Sequence, residues 1–280
     1  MNEVQLYNGV KMPAIGFGVF QIPAIDTQKA VEEALAAGYR MIDTAQAYFN
    51  EAEVGAAIAH SGLKRDEIFI STKLWVKDYE TDAARRAFDE SMRKLGLDTL
   101  DLYMLHKPYG NYYAAWRVLE QLYKDGRIRA IGVTSFTDER LQDLIIHNEV
   151  KPMVNQVETN PWCQRPATNR FLKAQGIQQE AWSPFAEGKD GIFTNPVLAA
   201  IGAAHGKSVA QVILRWLNQL GVVTIAKSVH PERMRQNIDI FDFTLTDKEM
   251  ADIASLDHQH APVVDENDIN VAKYISSLTF

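Results

Sequence analysis

The stretch "LGLDTLDLYMLH", residues 95–106, holds a helix end, a turn and a buried strand in one run. Leu95 closes a helical stripe begun by Ala84, Phe88 and Met92, and Gly96 follows as a residue suited to end a helix at positive φ. "LDLYML" is mostly apolar with little alternation, as expected of a strand covered on both faces in a parallel sheet. It then meets an ionisable residue, His106. The same joint recurs at Gly38, Gly126, Gly176 and Gly221, each placed after a helical pattern and before a strand-like run. Other helical stripes run through Val31, Ala34 and Leu35, through Trp116, Leu119 and Leu122, and through Val209, Val212, Ile213, Trp216 and Leu220.

Eight strand candidates result: "AIGFG", "RMID", "IFISTK", "LDLYMLH", "IRAIGVT", "MVNQVE", "GIQQEAW" and "VVTIA". The seventh is the weakest, because Gln178, Gln179 and Glu180 are poor buried-strand residues. Eight strand-helix units with no linker tract between halves predict an α/β fold, a closed eight-stranded parallel β/α barrel rather than an open doubly wound sheet. The expectation is one domain over residues 1–280. At the start, "VQLYNGVKMPAIGFG" sets Asn8-Gly9 between two short runs, a β-hairpin signal, and the hairpin is expected to cap one end of the barrel.

Composition narrows the partners. With 280 residues, 46% hydrophobic and 23% charged, the chain has enough apolar sequence for a large core. A net charge of −7 argues against nucleic acid or an anionic membrane as the main partner, since both need a basic face. Cys163 is the only cysteine, which excludes an internal disulfide and a cysteine-based zinc site and fits a reducing compartment. "MNEVQLYNGV" has no apolar run behind basic residues, and no stretch is long and apolar enough to span a bilayer, so a cytoplasmic protein is expected.

Two apparent nucleotide motifs fail. "GAAHGKS", residues 202–208, has three residues between its glycines where a phosphate loop needs four, and it follows a helix-like segment, so it reads as a helix-to-helix turn. "GFGVFQ", residues 16–21, has Gln21 where the dinucleotide fingerprint needs its third glycine, so any nicotinamide cofactor here is not on a Rossmann fold. "TIAKSVHPERMRQN", residues 224–237, is the better candidate. A strand leads to Lys227 and Ser228, and Pro231 is placed to begin a helix carrying Arg233 and Arg235. Helix N-termini and cations attract phosphate, and in such barrels phosphate sites gather past the last strands.

The C-terminal strand ends of a β/α barrel carry its chemistry. Three successive strands end in ionisable residues, Asp43, Lys73 and His106, which converge on one mouth. Tyr48 lies a turn beyond Asp43 and is placed to lean over the same mouth. A phenol titrates near ~10 and is a poor acid at neutral pH unless a neighbouring cation stabilises the phenolate. Lys73, held charged by Asp43, is expected to bring Tyr48 down toward working range, so that it can give a proton to a developing alkoxide.

At these residues the sequence resembles the aldo-keto reductase superfamily, in the bacterial branch that includes 2,5-diketo-D-gluconate reductases. "GYRMIDTAQAYFNEAEVG", "LDTLDLYMLHKP" and "IAKSVHPERMRQNIDIF" resemble the family's signature segments in order, and the likeness runs from about residue 4 to 260. The resemblance implies a β/α barrel that reduces carbonyls with NADPH and needs no metal. It makes Tyr48 the general acid, Asp43 and Lys73 its tuning pair, and His106 the group that orients the substrate carbonyl. It places Gln156 and Ser135 at the nicotinamide carboxamide and stacks Trp182 on the ring. It gives the adenosine end to Lys227, Ser228, Arg233 and Asn237, with Lys227 and Arg233 on the 2′-phosphate as the reason to prefer NADPH to NADH. Gly18, Val19, Asp43, Thr134, Ser183, Phe185, Val229 and Gln236 complete the implied cofactor set.

The chain departs from the family at several points. Thr134-Ser135 stands where Ser-Asn is usual, shortening one amide contact to a hydroxyl. Phe20 replaces a frequent tryptophan, Phe49 a common small residue, and Lys107 a neutral residue after the histidine. Trp75, Phe20, Phe49 and Trp162 are read either as aromatic pocket walls or as core packing. The expected substrates are small dicarbonyls, keto sugars such as diketo-gluconate and other reactive carbonyls, and a monomer is the family expectation. The rivals are a regulatory barrel that holds NADPH without turnover and, on the same fold, a sugar-phosphate isomerase or aldolase. The path of "DENDINVAKYISSLTF", residues 265–280, is not readable from sequence.

Overall fold

Gly96 stands at φ 67°, in the left-handed region, and the Leu97 N–H returns to Met92 O at 3.1 Å, ending the helix where the sequence places its end. Gly38, Gly126, Gly176 and Gly221 hold positive φ at the corresponding junctions. The computed structural model describes residues 2–258, 263–266 and 268–278. Its strands are β1 (Glu3–Gln5), β2 (Lys11–Pro13), β3 (Ile15–Gly18), β4 (Met41–Asp43), β5 (Phe69–Leu74), β6 (Leu100–Leu105), β7 (Ile128–Thr134), β8 (Val154–Glu158), β9 (Gln178–Trp182) and β10 (Val223–Ala226). The helices are α1 (Ala24–Ala37), α2 (Glu51–His60), α3 (Thr81–Leu95), α4 (Tyr112–Lys124), α5 (Asp138–Ile146), α6 (Pro166–Gln175), α7 (Pro196–His205), α8 (Val209–Gln219), α9 (Pro231–Ile238), α10 (Asp247–Ala254) and α11 (Ile269–Ser277).

Strands β3 to β10 pair in parallel and close into a barrel in the order β10-β3-β4-β5-β6-β7-β8-β9, so every one of the expected strands is present. The weak seventh strand survives because its polar side chains are buried in pairs. Gln179 accepts from Asn169 Nδ2 at 2.8 Å and donates to Thr159 Oγ1 at 3.0 Å, while Glu180 accepts from Gln156 Nε2 at 2.8 Å.

Close approach sets the packing. A Cβ on Gly16 would lie 2.7 Å from Ile225 Cδ1 inside the barrel, and one on Gly55 would lie 2.5 Å from Lys94 O, where α2 meets the end of α3. The hairpin forms with Val4 opposite Met12, and Asn8 donates to Arg129 O at 2.9 Å while Tyr7 donates to Lys151 O at 2.5 Å. Those partners precede or open β7 and β8, so the hairpin caps the N-terminal end of the barrel, opposite the mouth.

"GAAHGKS" is a turn between helices. Gly206 ends α7 at φ 64°, and Ser208 with Gln211 forms a capping box that starts α8. Among the described residues no single helix is long and apolar enough to cross a membrane.

Candidate active site

Strand register brings the ionisable residues together. Asp43 pairs with Ser71 between β4 and β5, and Lys73 follows two positions later on the same face. The fully buried Lys73 Nζ donates to Asp43 Oδ1 at 2.6 Å and to Thr44 O at 3.0 Å, while Ser71 Oγ donates to Asp43 Oδ2 at 2.7 Å. Burial works to lower the Lys73 pKa, but the Asp43 carboxylate and Tyr48 outweigh it and hold it above the usual lysine value. The ammonium is therefore charged in the barrel.

Tyr48 sits on a single helical turn, Gln46–Tyr48, directly after the β4 end, and Lys73 Nζ lies 5.1 Å from its ring centroid. The direction of its titration differs from the sequence expectation. Burial raises the Tyr48 pKa above the ordinary phenol value, and the Lys73 ammonium offsets this only in part, with Asp43 adding to the rise. The phenol keeps its proton at neutral pH because the site penalises a phenolate more than one lysine stabilises it.

His106 follows β6, with its N–H on Leu74 O at 3.0 Å and its ring edge-on to Tyr48 at 5.6 Å and to Trp75 at 5.1 Å. Burial, with Lys73 and Lys107 nearby, drives its pKa well below the usual histidine value, so the imidazole is neutral. Phe20 packs on Tyr48 at 4.9 Å and is 50% exposed, and Phe49 is 61% exposed at a left-handed φ of 57°. Trp75 is buried with Tyr109 and Ile275 under α11. Trp162 is not a pocket wall. It lies in the core formed with α7 and α8, and it stacks on His258 at 4.9 Å.

Across the mouth, Gln156 is paired with Thr134 on one side and Glu180 on the other, and its Nε2 donates to Asp43 Oδ2 at 3.2 Å as well as to Glu180. Desolvation, with Asp43 close by, pushes the Glu180 carboxyl up to about 8. Ser135 and Ser183 directly follow β7 and β9, both at left-handed φ, 61° and 51°. Non-glycine residues held there are strained, and such strain gathers at functional sites. Gly18 ends β3 beside Asp43, and the Val19 N–H donates to Asp43 O at 3.1 Å. Phe185, half-buried after β9, packs against Phe193.

At the β10 end, Ser228 is nearly buried and accepts from the His230 N–H at 3.1 Å, Pro231 opens α9, and Asn237 is buried on the same helix. Lys227, Val229, Arg233 and Gln236 are exposed. The donor set suits a dinucleotide phosphate ester. Exposed cations flank a helix N-terminus at one end, and at the other the buried Ser183 Oγ, just past β9, has no hydrogen-bond partner among the described residues.

Residues 263–266 and α11 lie at the mouth. Glu158 accepts from the Val263 and Val264 N–H groups at 3.2 and 3.1 Å, Tyr109 donates to Glu266 O at 3.1 Å, and α11 packs near Trp75. A cavity of about 540 Å³ lies beneath it, lined in part by Ser135, Glu158, Arg165, Trp182 and Glu266. Glu158, Glu180 and Glu266 escaped the sequence reading. Only the polar run in the seventh strand signalled one of them.

Residues 14–258 match the aldo/keto reductase family. The chain is 47% identical to a glyoxal reductase from Bacillus subtilis, over 95% of this chain and 97% of that protein. It is 46% identical to a morphine 6-dehydrogenase from Pseudomonas putida, over 97% and 96%. Among solved structures, an aldo-keto reductase from Bombyx mori in complex with NADP superposes with a TM-score of 0.90 at 33% identity, covering 97% of this chain and 96% of that one. With the barrel and its mouth in place, these matches identify the chain as a member of the aldo/keto reductase family, an oxidoreductase that acts on carbonyls with NADP(H).

Proposed function

We propose that the protein reduces small aldehydes and ketones, with dicarbonyls and keto sugars as the substrate class, and that Tyr48 is the general acid. The observation that carries this reading is the charged Lys73, fully buried against Asp43 and 5.1 Å from the Tyr48 ring at the barrel mouth. NADPH, when bound, supplies the hydride to the carbonyl carbon. The Tyr48 hydroxyl gives its proton to the carbonyl oxygen, and C=O becomes CH–OH. Lys73 stabilises the phenolate left behind, which matters because burial opposes it. Neutral His106 can donate one hydrogen bond to the same oxygen and so fix which carbonyl face meets the hydride.

Gln156 and Ser135 would hold the carboxamide, Trp182 the ring face, and Lys227 with Arg233 the 2′-phosphate. The exposed Phe20 and Phe49 give the mouth an open aromatic rim, which suits short substrates that carry their own polar groups. Glyoxal, in the name of one relative, belongs to that class.

Tyr48→Phe is the direct test. Following NADPH absorbance with glyoxal, methylglyoxal and a keto sugar, kcat should fall by roughly 10²-fold or more, the range of a lost general acid, while NADPH still binds. Undiminished kcat in the variant would remove Tyr48 from the mechanism, and a parent that binds NADPH without reducing any carbonyl would favour a regulatory barrel.

A further inference from the structure

Lys107, the residue after His106, does not point into solvent. Its Nζ pairs with Glu266 Oε1 at 2.5 Å, lies 3.2 Å from Ser135 Oγ, and stands over the Trp182 ring at 5.7 Å from the centroid. Both partners are nearly enclosed, with side chains 12% and 7% exposed. Each end is anchored. The Tyr79 hydroxyl donates to Lys107 O at 2.9 Å and accepts from its N–H at 3.1 Å. Tyr109 donates to Glu266 Oε2 at 3.2 Å, and Glu158 holds the two backbone amides at Val263 and Val264.

Ser135 and Trp182 are the groups assigned above to the nicotinamide carboxamide and ring. An ammonium on that hydroxyl and over that ring draws on the same contacts the nicotinamide would use. We propose that the Lys107–Glu266 pair is a latch that competes with the nicotinamide for Ser135 and Trp182 and thereby sets how tightly the dinucleotide is held. The proposal rests on the cofactor placement in the preceding section. The latch weakens binding by the fraction of molecules in which it is open, because apparent affinity scales with the competent population. Its flexible four-carbon stem lets Lys107 withdraw without moving the backbone that Tyr79 grips.

Calorimetric titration of the parent, Lys107→Met and Glu266→Gln with NADP+, and in parallel with adenosine 2′,5′-bisphosphate, which lacks nicotinamide, tests this without turnover. Lys107→Met should bind NADP+ about three- to tenfold tighter, as for a latch closed in roughly two thirds to nine tenths of molecules. Glu266→Gln should shift in the same direction, and adenosine 2′,5′-bisphosphate should bind all three proteins alike. Unchanged or weaker NADP+ binding in Lys107→Met, no shift in Glu266→Gln, or equal shifts for both ligands would each overturn the latch. If the parent bound adenosine 2′,5′-bisphosphate but NADP+ no tighter, the nicotinamide placement would fall with it; binding of neither would reject the whole cofactor site.

Discussion

Glu180 is a carboxyl group inside a barrel, opposite Gln156 and near Asp43, with a pKa pushed up to about 8. A carboxyl whose folded pKa lies above its unfolded value keeps a proton that the unfolded chain has lost, so stability falls as pH rises from ~4.5 toward that folded value. His106 has the opposite sign. Its depressed pKa makes stability fall as pH drops below ~6.5, because only the unfolded chain then takes up the proton. Between pH 6.5 and 8 the Glu180 slope therefore stands clear of His106. Glu180→Gln, whose amide oxygen can still accept from Gln156, should flatten the loss of urea midpoint across that window. An identical slope in parent and variant would show that Glu180 holds no extra proton.

At this scale Asp43, Tyr48, Lys73 and His106 were legible in sequence because each ends or closely follows a strand. Glu180 was not, since a carboxyl in a strand reads as a defect until its partner Gln156, on another strand, is known. The direction of the Tyr48 shift was also hidden, because it depends on how completely the ring is enclosed.

Some elements here meet at glycines rather than at large apolar side chains. Gly55 lets α2 lie against the α3 end, where a Cβ would meet Lys94 O at 2.5 Å and Leu95 O at 2.8 Å. Backbone cannot swing aside as a side-chain tip can, so Gly55→Ala should destabilise the fold by about 1–3 kcal/mol, the usual cost of overpacking. Denaturant titration measures it, and a variant as stable as the parent would mean the helices slide apart freely. The helix-ending glycines are different. Gly96 was readable from sequence because a positive φ leaves a compositional mark, whereas Gly55 marks a contact between helices and looks like any helical glycine. The left-handed Ser135 and Ser183 left no mark either, since serine carries no preference for that conformation.

For the whole molecule, the cofactor is part of the stability. A ligand that binds only the folded chain adds about 2.7 kcal/mol when present at 100 times its Kd. NADP+ should raise Tm in proportion to the logarithm of its concentration, and Arg233→Ala should reduce that rise more for NADP+ than for NAD+. Equal losses with the two cofactors would take Arg233 away from the 2′-phosphate. The barrel and hairpin followed from sequence because their signals are local. The path of α11 did not, because Trp75, Tyr109 and Ile275 are far apart in the chain and meet only in the fold.

The hairpin and α11 occupy opposite ends of one barrel, and this fixes how the protein should be handled. A tag or solid support attached through residues ahead of β1 holds the molecule by its sealed floor and turns its opening outward. The same attachment made at α11 sits beside Trp75 and Tyr109, where it loads the helix packed at the opening. For an immobilised catalyst, the two points of attachment are therefore not interchangeable.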